Sequence, residues 1–398
     1  MGGTDRPRRP GPASAGAGRY VVGEVRPFDQ KNQMFMRATW DPEWLPTARR
    51  YYGYRELKTT EGYTIKESAL NDAGWWVELA FSSGNFVGQE GLAAWDAEPV
   101  SSHRVARVTA PVPGEPAEFT RLVKRAARLY GASLVGTCLL DRRWLYSHSY
   151  HTLRKESRPI AIPDEFKWAI VMAHEMDFEG IRQAPNYIAS AAASTVYSRM
   201  AVTAGLLAQY IRGLGYRALP LGNDTACSIP MAIDAGLGEL SRAGWLITPE
   251  YGPRVRLNKV ITNMPLVPDE PIEFGVWDFC LKCRKCARAC PGRAIESGPP
   301  TDKPHNICNR EGVDRWPVNA EKCFSFLAST GTDCGTCIRV CPFNKPGGVL
   351  HDVVKWTIKR FPPLNTLFIK ADDVFGYGRA ARPAEFWNDR KWRVRRAS

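Results

Sequence analysis

The sequence predicts an α/β fold: a three-layer core of mixed strands and helices, followed by a small ferredoxin-like domain that holds two iron–sulfur cubanes. Three observations carry this. Apolar runs of strand length at Ser133–Leu140, Trp168–Ala173 and Arg254–Thr262 are interleaved with helical periodicity. No Gly-x-Gly-x-x-Gly opens a helix, so the core is not a dinucleotide-binding one. The run Cys280-x2-Cys283-x2-Cys286-x3-Cys290-Pro291 is answered by Cys334-x2-Cys337-x3-Cys341-Pro342, the spacing of a two-cluster domain.

Along the chain, residues 1–18 are Pro/Gly-rich and basic and read as a flexible tail. Residues 19–114 are an aromatic-rich unit in which pairs such as Trp75 and Trp76 fill a core or line an apolar pocket. The core occupies residues 115–270. Phe119, Leu122, Val123, Ala126 and Leu129 recur at helical spacing over Glu118–Tyr130. Residues 141–165 read as irregular. A long helix is expected from about Asn186 to Arg212, stopped by Gly213 and Gly215, and a short one from Ile229 to Arg242. Residues 271–345 are the cluster domain. Residues 346–398 carry Trp356, Phe361, Phe375, Trp387 and other aromatics, which argues for a segment wrapped back over the protein.

Eight of the eleven cysteines fit cluster ligation. The second run lacks its usual first cysteine, and Cys323, ahead of Cys334, takes that place. In the bacterial pattern the fourth cysteine of each run reaches across to the other cluster. The expected sets are Cys280, Cys283, Cys286 and Cys341 for one 4Fe–4S cluster, and Cys323, Cys334, Cys337 and Cys290 for the other. Cys138 is expected to be an inert core thiol, and Cys227 and Cys308 show no partner. This usage points to a reducing compartment.

Net charge is +13, spread along the chain with a concentration at Arg390, Lys391, Arg393, Arg395 and Arg396. A solvated basic face is the simplest account, with an acidic redox partner or anionic substrate second; no nucleic acid is expected. No run of eighteen apolar residues spans a membrane. Arg8 and Arg9 are followed by no apolar stretch, so the chain as written reads as cytoplasmic, or as exported if a twin-arginine signal has been removed.

Several residues could carry chemistry. Six small residues, Ala189–Ser194, let a partner approach the long helix closely, either another helix or a flat cofactor against Ala189, Ala193 and Ser194. Tyr197 follows on the face of Ala189 and Ala193. Asn223 sits in a turn. Arg254 and Arg256 alternate onto one strand face with Asn258. A phenol beside a guanidinium and an amide is a proton-delivery set. His174-Glu175 lacks the second histidine of a His-Glu-x-x-His metal site.

The displaced Cys323, FDQKNQMFMRATWD at 28–41, the His174–Asp177 stretch and ITPEYGPRVRLNKV at 247–260 together resemble the reductive dehalogenases, corrinoid and iron–sulfur enzymes that remove halide from organohalides. The resemblance covers nearly the whole chain from about residue 19. It implies a nitroreductase-like corrinoid-binding core and a small halogenated organic substrate. It also implies an external low-potential electron donor, and a membrane anchor as a further partner of exported members. The family's catalytic tyrosine, asparagine and arginine match Tyr197, Asn223 and Arg256, with Arg254 the alternative. No Asp-x-His-x-x-Gly segment supplies a lower histidine, so the cobamide is expected base-off. The cluster without Cys323 is assigned the place nearer the cobalt. Two other readings compete: an epoxyqueuosine reductase-like enzyme acting on tRNA, and a plain two-cluster electron carrier.

Overall fold

The computed structural model describes residues 16–54, 56, 58–82, 91–99 and 110–388; Arg8, Arg9 and the C-terminal cations from Arg390 onward lie outside them. Helix α1 (Ile65–Val77) starts at a reciprocal capping box between Thr64 and Glu67. Helix α2 (Pro116–Leu129) begins on proline and buries Phe119, Val123, Ala126 and Ala127 along one stripe. Strand β1 (Leu134–Leu139) follows, then the hairpin β2 (Tyr146–His151) and β3 (Glu156–Pro159), then β4 (Trp168–Glu175). Helix α3 (Tyr187–Gly213) is capped by Asn186, whose side chain accepts from the Ile188 and Ala189 amides at 3.0 and 3.3 Å. Strand β5 (Ala218–Leu221), helix α4 (Ser228–Asp234) and strand β6 (Val255–Thr262) complete the core.

One antiparallel sheet in the order β1-β4-β6-β5 organises the molecule. Its alternation divides the interior. Ile170, Met172 and Val260 point to one side, where Phe119, Val123, Leu207 and Ile211 of α2 and α3 cover them. Ala169, Val171, Ala173, Leu257 and Ile261 point to the other side, into a larger core shared with the cysteine-rich region. That region contributes Val276 and Phe279 from α5 (Val276–Cys283). Helix α6 (Ala320–Thr330) carries Cys323. The C-terminal helices α7 (Val349–Arg360) and α8 (Asn365–Val374) insert Ile358 and Ile369 into the same core. Buried Asp372 of α8 pairs with Lys285 and Lys345, one from each cysteine run. The Trp387 indole donates to Glu67 on α1 at 2.8 Å. The sheet and cysteine-rich region therefore share one interior, which brings the sheet's end close to the ligand thiols.

Two expectations need correction. Residues 141–165 contain the β2–β3 hairpin. Its sequence YSHSYH hides a strand because its buried large residues are tyrosines, and Tyr146 is fixed by tertiary partners: its ring stands 6.2 Å from that of Phe28, whose segment pairs with β2 in parallel. Helix α4 stops at Asp234 instead of Arg242. Gly236 adopts φ +71°, and a Cβ at Gly238 would lie 2.0 Å from the Ile247 carbonyl, so the chain turns there into a short pairing of Glu239–Leu240 with Leu246–Ile247. Among the described residues no helix is long and apolar enough to cross a membrane.

Candidate active site

Cys280 and Cys283 sit on the last turns of α5. Arg284 then takes a left-handed φ of 55°, which reverses the chain and returns Cys286 to the same space. Cys280, Cys283, Cys286 and Cys341 line one cavity with Arg242, Trp245 and Phe343, and Cys337 borders it. Burial pushes the Cys280 thiol up to about 12 and Cys341 well above its ordinary value, and the charges next felt by Cys341 are those of Cys280, Cys283 and Cys286. Cys323 is pushed up to about 12 by burial, and its near neighbours are Cys337, Cys334 and Cys290. The eight thiols thus form two neighbouring sets, with Cys337 close to both. Among the described residues no three His, Cys, Asp or Glu side chains close on a point as a lone metal ion requires; thiols set around a cavity suit a polynuclear cluster, whose irons replace the protons.

The structure brings Tyr197, Asn223 and Arg256 together. The Asn223 amide Nδ2 donates to the Tyr197 hydroxyl at 2.9 Å. The Arg256 guanidinium carbon lies 5.6 Å from the Tyr197 ring centroid and 5.2 Å from that of Trp245. Trp75 of α1 stacks on the phenol ring, centroids 4.8 Å apart and planes 22° apart. The Arg256 Nε is buried with no hydrogen-bond partner.

Arg254 is used differently. It is 2% exposed. Its guanidinium pairs with Glu175 and donates to the Met176 carbonyl at 3.1 Å and to Asn344 Oδ1 at 3.0 Å. It joins the end of β4 to the loop after Cys341. His174 is a core residue that meets Asn258 Oδ1 at 3.0 Å, and burial lowers its pKa to about 4. The His174-Glu175 pair is therefore spent on structure.

The small-residue run serves two neighbours. Ser194 faces α1: its hydroxyl donates to the Asn71 carbonyl at 3.0 Å, and a Cβ on Gly74 would lie 2.1 Å from it. Ala193 instead packs with Val196, Met200 and Ile338, against which Tyr197, Trp245 and Cys337 lie. Ala189 is 3% exposed, within the first turn of α3. Of the three small residues expected against a cofactor, Ala193 is the one placed beside Tyr197.

Residues 279–344 match the family of 4Fe-4S double cluster binding domains. The chain is 38% identical to the tetrachloroethene reductive dehalogenase of Sulfurospirillum multivorans, over 80% of its own length and 70% of that protein's. It is 35% identical to the tetrachloroethene reductive dehalogenase of Desulfitobacterium hafniense, over 81% of its own length and again 70% of the relative's. The chain belongs to the reductive dehalogenase family. A solved catabolic reductive dehalogenase, NpRdhA, shares the fold with a TM-score of 0.69 at 23% identity, over 94% of this chain and 50% of that one. The chain thus spans about half the length of that solved relative.

In this family member, three contacts at the site are set by the fold. The Trp245 indole donates to the Cys337 sulfur at 3.2 Å, which sets that thiol of the Cys323-containing set near Arg256. Asp333 accepts from the Tyr51 hydroxyl at 2.9 Å and feels the Arg256 charge, while burial raises its pKa. Lys259, fully buried, donates to the carbonyls of Gly222, Asp224 and Ala226 at 2.7, 3.0 and 2.9 Å and so clamps the turn that presents Asn223. Cys227 and Cys308 have polar neighbours after all, Arg310 at 3.3 Å and Arg37 at 3.8 Å. The signal for Lys259 was available: a lysine inside an apolar strand needs several acceptors.

Proposed function

We propose that this protein reductively dehalogenates a small organohalide, with Tyr197 as the proton donor, Asn223 holding the phenol and Arg256 balancing the charge left on it. The single observation behind this reading is the Asn223–Tyr197 hydrogen bond of 2.9 Å beside the Arg256 guanidinium. Because Asn223 donates to the phenol oxygen, the phenol's own proton is free for a substrate carbon. Replacing carbon–halogen by carbon–hydrogen consumes two electrons and one proton and releases halide. The cysteine sets would hold clusters that would supply these electrons one at a time from an external low-potential donor, and Tyr197 delivers the proton.

The residues fit a corrinoid. Gln183 is 2% exposed, and neither atom of its amide has a protein partner. Arg256 Nε is likewise buried and unpaired. A corrin ring edged with amides supplies partners for such groups. No Asp-x-His-x-x-Gly segment offers a lower ligand, which supports a base-off corrinoid. When bound, that cofactor supplies reduced cobalt for breaking the carbon–halogen bond. The chain's own part is to orient the substrate, screen it from water with Trp75 and Trp245, and hold the proton at the Tyr197 oxygen.

The test is Tyr197→Phe, assayed for halide release from chlorinated and brominated substrates with a chemical reductant. Iron content and bound corrinoid should match the wild type while turnover falls at least about a hundredfold, the usual scale for loss of a positioned acid. Wild-type-like halide release would remove the donor assignment.

A further inference from the structure

We propose that Trp245 tunes the cluster ligated by Cys337 and is the protein's link between that cluster and Arg256. The proposal rests on the reading that Cys337 is a cluster ligand and goes beyond it. Trp245 has two engagements. At its pyrrole edge, Nε1 lies 3.2 Å from the Cys337 sulfur. On its face, the Arg256 guanidinium carbon lies 5.2 Å from the ring centroid, and that same guanidinium covers the Tyr197 ring at 5.6 Å. One indole therefore touches a ligand sulfur and the cation that serves the phenol. Trp245, Tyr197 and Cys337 also pack on one apolar cluster containing Ala193, Val196 and Ile338.

The physical reason for tuning is charge. A reduced cluster carries one more electron, and part of that charge sits on the ligand sulfurs. An N–H aimed at such a sulfur stabilises the reduced form and raises the reduction potential. A backbone group does the same for another sulfur of this group, the Ala294 amide donating to Cys290 at 3.3 Å, and the Cys334 thiol donates to the Thr336 hydroxyl at 3.2 Å, a contact that a ligated thiolate would accept instead. Trp245 differs from both because it comes from the core, between β5 and β6, and not from the cysteine runs. Its hydrogen bond binds the potential of this cluster to the geometry of the proton-delivery set. An electron arriving at the Cys337 cluster thus reaches the stop that faces Arg256.

The experiment is a potentiometric titration, followed by electron paramagnetic resonance, of anaerobically purified protein with both clusters loaded. Trp245→Phe keeps the ring under Arg256 and removes the N–H. One midpoint potential should move to a more negative value while the other stays, and Trp245→His, which offers a ring N–H again, should recover part of the shift. Unmoved midpoints in Trp245→Phe, or equal movement of both, would overturn the proposal. If Trp245→Phe fails to take up iron, wild-type protein grown on tryptophan labelled with 15N in the indole decides. A 15N coupling to the reduced cluster is expected, and its absence overturns the assignment. Neither measurement uses an organohalide, so an inactive enzyme leaves this inference standing.

Discussion

Arg254 and Arg256 enter β6 two residues apart, and the regions around them make opposite uses of the same side chain. Arg254 is buried and its donors are taken: Glu175, the Met176 carbonyl and Asn344 accept its protons, and the Phe178 ring centroid lies 5.1 Å from its guanidinium carbon. Around Arg256 the partners are two aromatic faces, and Nε has no acceptor. A guanidinium has five donors in a fixed fork. Where the fold uses them, the residue is a joint between the sheet and the Cys341 loop. Where one is left unpaired, as at Arg256 Nε, it is available to a ligand. This difference, more than distance from Tyr197, is why Arg254 reads as structural and Arg256 is the one proposed to act on the phenol.

The sharpest way to break the comparison is to remove each cation in turn. Arg256→Met should leave folding and iron content intact and lower halide release by about 10²–10³, as expected when one charge-stabilising donor leaves a reaction site. Normal turnover would mean that Arg256 is a bystander between two rings. Arg254→Met should do the reverse. Breaking a buried ion pair by deleting one partner costs about 3–5 kcal/mol, and the low end applies because the Glu175 side chain is 38% exposed and keeps contact with water. The expected signs are a lower unfolding temperature and loss of iron from the group containing Cys341. Surviving molecules should retain the wild-type rate per loaded protein. A variant with unchanged stability and lost turnover would exchange the roles of the two residues.

Strand alternation places Arg254 and Arg256 on one face, so spacing alone leaves either as the partner of Tyr197. The deciding neighbours, Glu175 and Asn344, lie 79 and 90 residues away in sequence. What was legible was local. The helix from Tyr187 to Gly213 announces itself by its Asn186 cap and closing glycines, and the buried strands by unbroken apolar runs. The cysteines were legible because short turns restrict their reach: Cys280, Cys283 and Cys286 need only one helix end and one reversal. The β2–β3 hairpin was illegible because tyrosine and histidine side chains blur the period of two. Trp245 was illegible for a different reason. A tryptophan in a mixed segment is ordinarily core, and only the folded chain sets its N–H against a sulfur 92 residues away.

The residues opposite the two arginines give the gentlest test of the comparison. On β4, Glu175 pairs with Arg254, while its neighbour His174 lies directly across from Arg256 in the β4–β6 register. On β4, then, a carboxylate answers Arg254 and a neutral imidazole stands opposite Arg256. Burial is the main reason that the folded His174 pKa falls to about 4 from an ordinary 6.5, with the Arg199 charge adding to it. Below pH 6.5 the unfolded chain takes up a proton that the folded chain refuses until about pH 4, so stability falls as the pH drops through that window. At about 1.4 kcal/mol per unit, the loss between pH 6.5 and 5 is about 2 kcal/mol. Asp234, raised by burial to about 6, acts with the opposite sign in the acid range, because there the folded chain binds its proton first. The measurement is therefore a difference: unfolding temperature against pH for wild type and for His174→Gln. The variant should lose less stability on acidification, and the two curves should converge as the pH falls. Parallel curves would show that His174 takes a proton freely in the fold, and that a positive charge opposite Arg256 is tolerated after all.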